Sequence, residues 1–203
     1  MRITTVILAC IAACHFVVAQ DVETIPQEDA AKAAKLAAKA LSSATDIPLA
    51  MELDVEKAFA LRAMEAGALI IPVKNLTALP TPEAGKGVKP LGQLWTLKIV
   101  PTREGKPVAK ESLRQVKIQT DERTYEPYVF FLGIQQNKKG QNSLTISTNV
   151  KKPILRIPLQ PMDAKQDLPI ELTGHGTEGN AGLGIIKILG KYQAELPVEI
   201  EME

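Results

Sequence analysis

Beyond its first nineteen residues the chain carries a single histidine, His175, and no cysteine. His175 lies in the run Gly174-His175-Gly176-Thr177-Glu178-Gly179-Asn180-Ala181-Gly182. Asp163, Asp167, Glu171, Glu178 and Asn180 stand near it in sequence. An imidazole with two or more oxygen donors could hold zinc or another divalent metal, provided at least three ligands converge. His175, Glu178 and Glu171 are the candidates for such a site. Their spacing matches neither a zinc motif nor the calcium loop of an EF-hand nor a phosphate-binding loop. Glycines at 174, 176, 179 and 182 fit a turn that needs positive φ. They predict a mobile connection between two strands rather than a rigid ligand shell, so no metal and no cofactor is assigned.

Other chemistry has less to stand on. No G-x-S-x-G elbow is present, and Ser112, Ser143 and Ser147 lie in strand or turn contexts with no histidine near in sequence. The 23 acidic residues are spread evenly and single out no general acid–base pair, so no catalytic residue is assigned. Carbohydrate-binding domains use exposed aromatic platforms. Beyond the leader the aromatics are Phe59, Trp95, Tyr125, Tyr128, Phe130, Phe131 and Tyr192. Of these, only Tyr125 sits in a polar stretch, and a lone tyrosine there reads as a strand end.

The elements that must position these residues begin after a targeting segment. Arg2 is a short positive region, Ile3 to Val18 is almost wholly apolar, and Val17-Val18-Ala19 sets small residues before Gln20. This is the layout of a cleaved signal peptide over 1–19, and it falls short of the roughly 20 apolar residues a spanning helix needs. Ile11-Ala12-Ala13-Cys14 offers an alternative, a lipid anchor on Cys14, but the residues after Cys14 stay apolar. Cleavage after Ala19 removes Arg2, Cys10 and Cys14. The remainder has balanced charge and no disulfide, so its stability rests on its core. Without a basic excess, nucleic acid is not an expected partner. Membrane association is expected only with a lipidated Cys14, which leaves a protein or cell-envelope partner.

Residues 20–45 read as an Ala/Lys-rich helix or spacer. Ile25 to Ala44 is rich in helix formers, with Pro26 in the first turn and Glu28 and Asp29 where the helix dipole favours acids. Its face of alanines, with Leu36 and Leu41 as the large apolar residues, predicts a weakly packed and separable helix. Asp54 could cap a second helix over Val55–Ala66, yet Phe59, Leu61 and Ala63 also alternate as in a strand.

From there strand signals dominate. Leu91–Gln119 reads as a hairpin, with LGQLWTLKIV and LRQVKIQ flanking a polar linker. Trp95, Leu97 and Ile99 share one face, which predicts a buried Trp95. Tyr128 to Ile134 is apolar at both parities and predicts a central strand covered on both faces. Leu144, Ile146, Thr148 and Val150 alternate with Thr145, Ser147 and Asn149, giving one buried and one wet face. Leu155–Leu159, Leu168–Leu172, Leu183–Leu189 and Tyr192–Met202 follow. Prolines at 48, 169 and 197 suit strand starts and edges, where they oppose edge pairing. Asn75-Leu76-Thr77 is a glycosylation acceptor in a eukaryotic host only.

About eight strands with turns at short intervals predict an all-β fold, an antiparallel β-sandwich of immunoglobulin-like or similar topology, over 46–203. The functional expectation is an exported, periplasmic or secreted, non-catalytic module with a binding or structural role in the cell envelope or medium. The alternative is a metal-dependent or hydrolytic enzyme using His175 and nearby carboxylates.

Overall fold

The computed structural model describes residues 22–42, 44–121, 123–149, 152–177 and 179–202. The targeting segment, with Cys10 and Cys14, and also Glu178 and Val150, lie outside the described residues. In chain order the elements are β1 (Glu23–Thr24), α1 (Gln27–Leu41), β2 (Phe59–Ala63), β3 (Ala66–Pro72), β4 (Lys89–Leu97), β5 (Ile99–Arg103), β6 (Lys106–Pro107), β7 (Ile118–Gln119) and β8 (Thr124–Tyr125). They continue with β9 (Tyr128–Gln136), β10 (Asn142–Ser147), β11 (Leu155–Pro158), β12 (Gln160–Pro161), β13 (Ile170–Gly176), β14 (Ala181–Ile188) and β15 (Tyr192–Ile200). Strand dominates, and every pairing between these strands is antiparallel. One sheet runs β1-β2-β3-β4-β9-β10-β11; a second runs β13-β14-β15-β5-β6, with β12 beside β15; β7 and β8 form a small ribbon. No helix among the described residues is long and apolar enough to cross a membrane.

The first sheet is buried on both faces, and the alternation along its strands shows how. Phe130, Leu132 and Ile134 of β9, Ile70 of β3 and Leu94 of β4 join Ile170, Leu172, Ile186, Ile188, Ala194 and Leu196 of the second sheet in one apolar cluster. The neighbours of opposite parity, Val129, Phe131, Ile71 and Trp95, form another cluster with Ala34, Ala37 and Leu41 of α1. Every residue of β9 from Tyr128 to Ile134 is buried, as expected for a strand apolar at both parities. Trp95 is buried too, but beneath α1 rather than between the sheets. Its Nε1 donates to Oε1 of Gln93 at 3.0 Å on the same face, which satisfies the indole in a dry site.

The helix is not the loosely attached spacer that its composition predicts. Glu28 and Asp29 lie in its first turn and Lys39 in its last, each favourable to the dipole. Ala30, Ala34, Ala37 and Leu41 repeat at helical spacing and are buried. An alanine stripe has little area, but it lets the helix approach the sheet closely, so Trp95 and Phe131 do the burying. Gln27 Nε2 adds bonds to the carbonyls of Glu56 and Ala58, at 2.8 and 2.9 Å.

Four expectations are corrected. The segment 91–119 is not a hairpin: β4 lies between β3 and β9. At Lys98, with φ 56°, the chain turns out of the first sheet and β5 joins β15 in the second. The return run instead flanks the start of β9, where Val129 N donates to the carbonyl of Arg114 at 2.9 Å. The alternation of Phe59, Leu61 and Ala63 prevails over helix propensity. A short 3-10 turn at Val55–Lys57 leads into β2, whose pairing with β3 no isolated helix could match. The expected wet face of β10 is dry, with Thr145 and Ser147 buried; Thr145 Oγ1 donates to the Gly133 carbonyl at 3.1 Å, which removes the cost of burying its hydroxyl. Finally, Pro169 does precede the edge strand β13, but Pro197 lies within β15, an interior strand, opposite Leu183.

The C-terminal strand end is tied to β9 by a titratable pair. The Tyr128 hydroxyl donates to a Glu201 carboxylate oxygen at 3.3 Å, and Glu201 pairs with Lys110 at 2.7 Å. Burial, reinforced by the Glu201 charge and opposed by Lys110, lifts the Tyr128 phenol above its ordinary value. A raised value in the folded chain means this contribution to stability is complete below the unfolded phenol's pKa. It is lost as pH rises above that value of about 10. Urea unfolding at alkaline pH is therefore expected to show a steeper fall for the native chain than for Tyr128→Phe. Absorbance titration is expected to show Tyr128 ionising at higher pH than a free phenol.

Candidate functional site

The register of β13 against β14 places His175. Glu171, Thr173 and His175 share one parity and pair with Lys187, Ile185 and Leu183. Ile170 and Leu172, of the other parity, enter the apolar core between the sheets. His175 is thus on the outward face, within a strand and exposed, not in a mobile connection; the turn proper is confined to 177–180. Glu171, four residues back on the same strand, lies about 13 Å from it by strand rise. Its Oε1 is already engaged, accepting from the backbone N–H groups of Asp167 and Leu168 at 2.9 and 3.1 Å. Glu171 therefore shapes the entry to β13. Glu178 lies outside the described residues. Among the described residues no three His, Cys, Asp or Glu side chains come together as a metal would need, so His175 and Glu171 are not brought to one point.

Two concavities do take shape, on opposite faces of β2, β3 and β4. The larger is a groove of about 930 Å³ on the helix side, within the range of roughly 300–1,000 Å³ typical of ligand sites. Alternation along the strands sends Leu69, Trp95 and Leu97 to its floor; Leu36 and Ala33 of α1 form one wall and the β7–β8 ribbon, with Ile118 and Tyr125, the other. Leu36 and Met64 are exposed at 43% and 71%, large apolar side chains held in water beside an apolar floor. Met64 has φ 51° in the β2–β3 turn, which props its side chain at the mouth.

The rim of this groove is charged and largely paired. Arg62 bonds Glu23 at 2.7 Å, Lys117 approaches Glu126 at 3.7 Å, and Lys98 pairs with Glu65. Lys98 beside Glu65 holds that carboxyl below the usual carboxylate value. The Arg123 guanidinium lies over the Tyr125 ring, 4.5 Å from its centroid, and bonds its hydroxyl. A cation on the ring face stiffens both side chains. Tyr125, the aromatic singled out in a polar stretch, is thus a wall residue of a groove. Its neighbours there, Leu36, Met64 and Trp95, are separated by tens of residues in sequence, and no local pattern joins them.

The smaller concavity is a cleft of about 110 Å³ between the sheets, beside β13. On β13 the inward positions run Ile170, Leu172, Gly174, Gly176; on β14 their partners run Ile188, Ile186, Gly184, Gly182. The core is bulky at one end and stripped of side chains at the other. Ala63, Ala66 and Ala68 face this end from the first sheet. In comparisons with known proteins, no family model matches the chain, and no curated protein and no solved structure matches it.

Proposed function

We propose that the chain is an exported, non-catalytic β-sandwich module. In this reading the two sheets are the layers of the sandwich and α1 is an added outer layer. The groove between α1 and the β7–β8 ribbon binds a segment of a protein or cell-envelope partner. The groove carries the reading: its apolar, aromatic floor supplies desolvation, and paired charges at its rim offer polar partners without a large net field. These are the features of a recognition surface with an apolar core and polar rim. Export is inferred from the apolar run ahead of Ala19.

The test uses the single tryptophan, which floors the groove. Titration with the apolar anionic dye anilinonaphthalene sulfonate is expected to show saturable energy transfer from Trp95. Leu36→Glu and Met64→Glu are expected to abolish it while leaving the melting temperature within about 2 °C, since both side chains are exposed and surface changes cost little. Dye binding that persists in both variants would remove the groove as the binding surface. Mass analysis of the exported protein is expected to give an N-terminus at Gln20; an acylated Cys14 would instead place the module on a membrane.

A further inference from the structure

We propose that β13 is an acceptor edge: an extended segment of a partner polypeptide pairs with it and inserts alternate apolar side chains into the cleft between the sheets. The two conditions for strand addition are a free backbone ladder and pockets at every second residue. Both are met at β13, independently of the groove on the far face of β2–β4.

The free ladder follows from topology. β13 ends the second sheet and pairs with β14 alone, and among the described residues no backbone bond from another segment reaches 170–176. The other sheet edges are short or blunted. β1 and β6 have two residues each, and β11 has four, ending in Pro158. β13 has seven, ILE-Glu-Leu-Thr-Gly-His-Gly in order from Ile170, with no proline, lysine or arginine. Natural edges of this length are normally guarded by such residues.

The pockets follow from the glycines. None of Gly174, Gly176 and Gly184 has positive φ, so the backbone does not require glycine there. Nor does packing. A Cβ at Gly176 would meet nothing within 4 Å, and at Gly174 and Gly184 the nearest atoms would be carbonyl oxygens of the same sheet at 3.5 and 3.6 Å. Strand propensity disfavours glycine at each, and what the three share is an empty inward volume next to the free edge. A cleft near 110 Å³ suits a branched aliphatic side chain; apolar cavities of about 150 Å³ take up benzene. A second copy of β13 would leave the cleft unfilled, since its own alternate positions are glycine. The occupant is therefore a different strand with aliphatic residues at alternate positions.

The probe is a synthetic, lysine-capped peptide of alternating valine and threonine, with a control in which serine replaces each valine. Fluorescence anisotropy is expected to show saturable binding of the valine peptide, and hydrogen exchange to show new protection at 171–176. Gly174→Val and Gly184→Val, which fill the cleft from within, are expected to weaken binding by roughly tenfold or more without lowering the melting temperature. Gly174→Ala serves as the milder variant should valine perturb the fold. Equal binding of the serine control, protection located elsewhere, unchanged affinity in the glycine variants, or β13 already protected in the free chain would each overturn the proposal. Leu36→Glu leaves this binding unchanged, so failure here and failure of the groove reading are told apart.

Discussion

A chain that begins at Thr45 is expected to lose most of its stability, with its tryptophan emission shifted to the wavelength of a water-exposed indole. Removing α1 takes Ala34, Ala37 and Leu41 out of the cluster that holds Ile71, Trp95, Val129 and Phe131. Each of those four large side chains is worth about 1.5–3 kcal/mol when fully buried. Even partial uncovering subtracts on the order of 5 kcal/mol, comparable with the whole stability of an ordinary domain. The point substitution Ala37→Leu tests the same contact from the other side. Ala37 is 1% exposed, and a larger side chain must push the helix off the sheet at about 1–3 kcal/mol. A shortened chain that melted at the temperature of the intact one, with its tryptophan still shielded, would show that α1 is dispensable.

That result turns on what alanine does in a helix. From sequence, the face made of Ala30, Ala34 and Ala37 looks too small to hold anything, because side-chain area is what a pattern reveals. Missing from the pattern is the partner. Trp95, Phe131 and Ile71 project from three neighbouring strands, and their large areas need a smooth surface that comes close. The mostly-β, antiparallel character was legible for the opposite reason: alternation is a local property, and β9, apolar at both parities, announced its central place. The supposed hairpin over 91–119 failed where a long-range pairing competes with a local one. Both runs alternate, but β3 and β9 offer β4 longer ladders, and the positive φ at Lys98 diverts the chain before any hairpin can form.

The site was legible in fragments. Tyr125 stood out by its polar surroundings, but the groove it lines draws on α1, β4 and the β7–β8 ribbon, and no spacing rule connects these. The glycines of 174–182 were visible and were given a turn role. Their period of two was the available signal. Gly174 and Gly176 continue the phase of Ile170 and Leu172, and Gly182 and Gly184 continue that of Ile186 and Ile188. Glycine in phase with a core stripe marks missing core rather than a loop, and His175, out of phase with both, is thereby outward.

Glycine has the opposite meaning at Gly92, and there the largest single-residue effect is expected. Gly92 is buried within β4, beside a register shift between Pro90 and Gly92. A Cβ built on it would lie 2.4 Å from the Ile71 carbonyl oxygen and 3.1 Å from Pro72 Cα. Both are backbone atoms of β3, the strand paired with β4 on that side, so no side chain can rotate away. Relief requires β3 and β4 to separate, which disturbs Ile70 and Leu94 on one face and Ile71 and Trp95 on the other. Gly92→Ala is therefore expected to cost about 3 kcal/mol or more, a fall of roughly 10 °C in melting temperature for a chain of this size. Gly184→Ala, with only ordinary contact at 3.6 Å, is expected to be neutral or to stabilise by about 0.5–1 kcal/mol through reduced freedom of the unfolded chain. Thermal unfolding of the two variants side by side decides the matter. If Gly92→Ala melts with the native chain, the β3–β4 contact has room to spare and the tight junction described here is wrong.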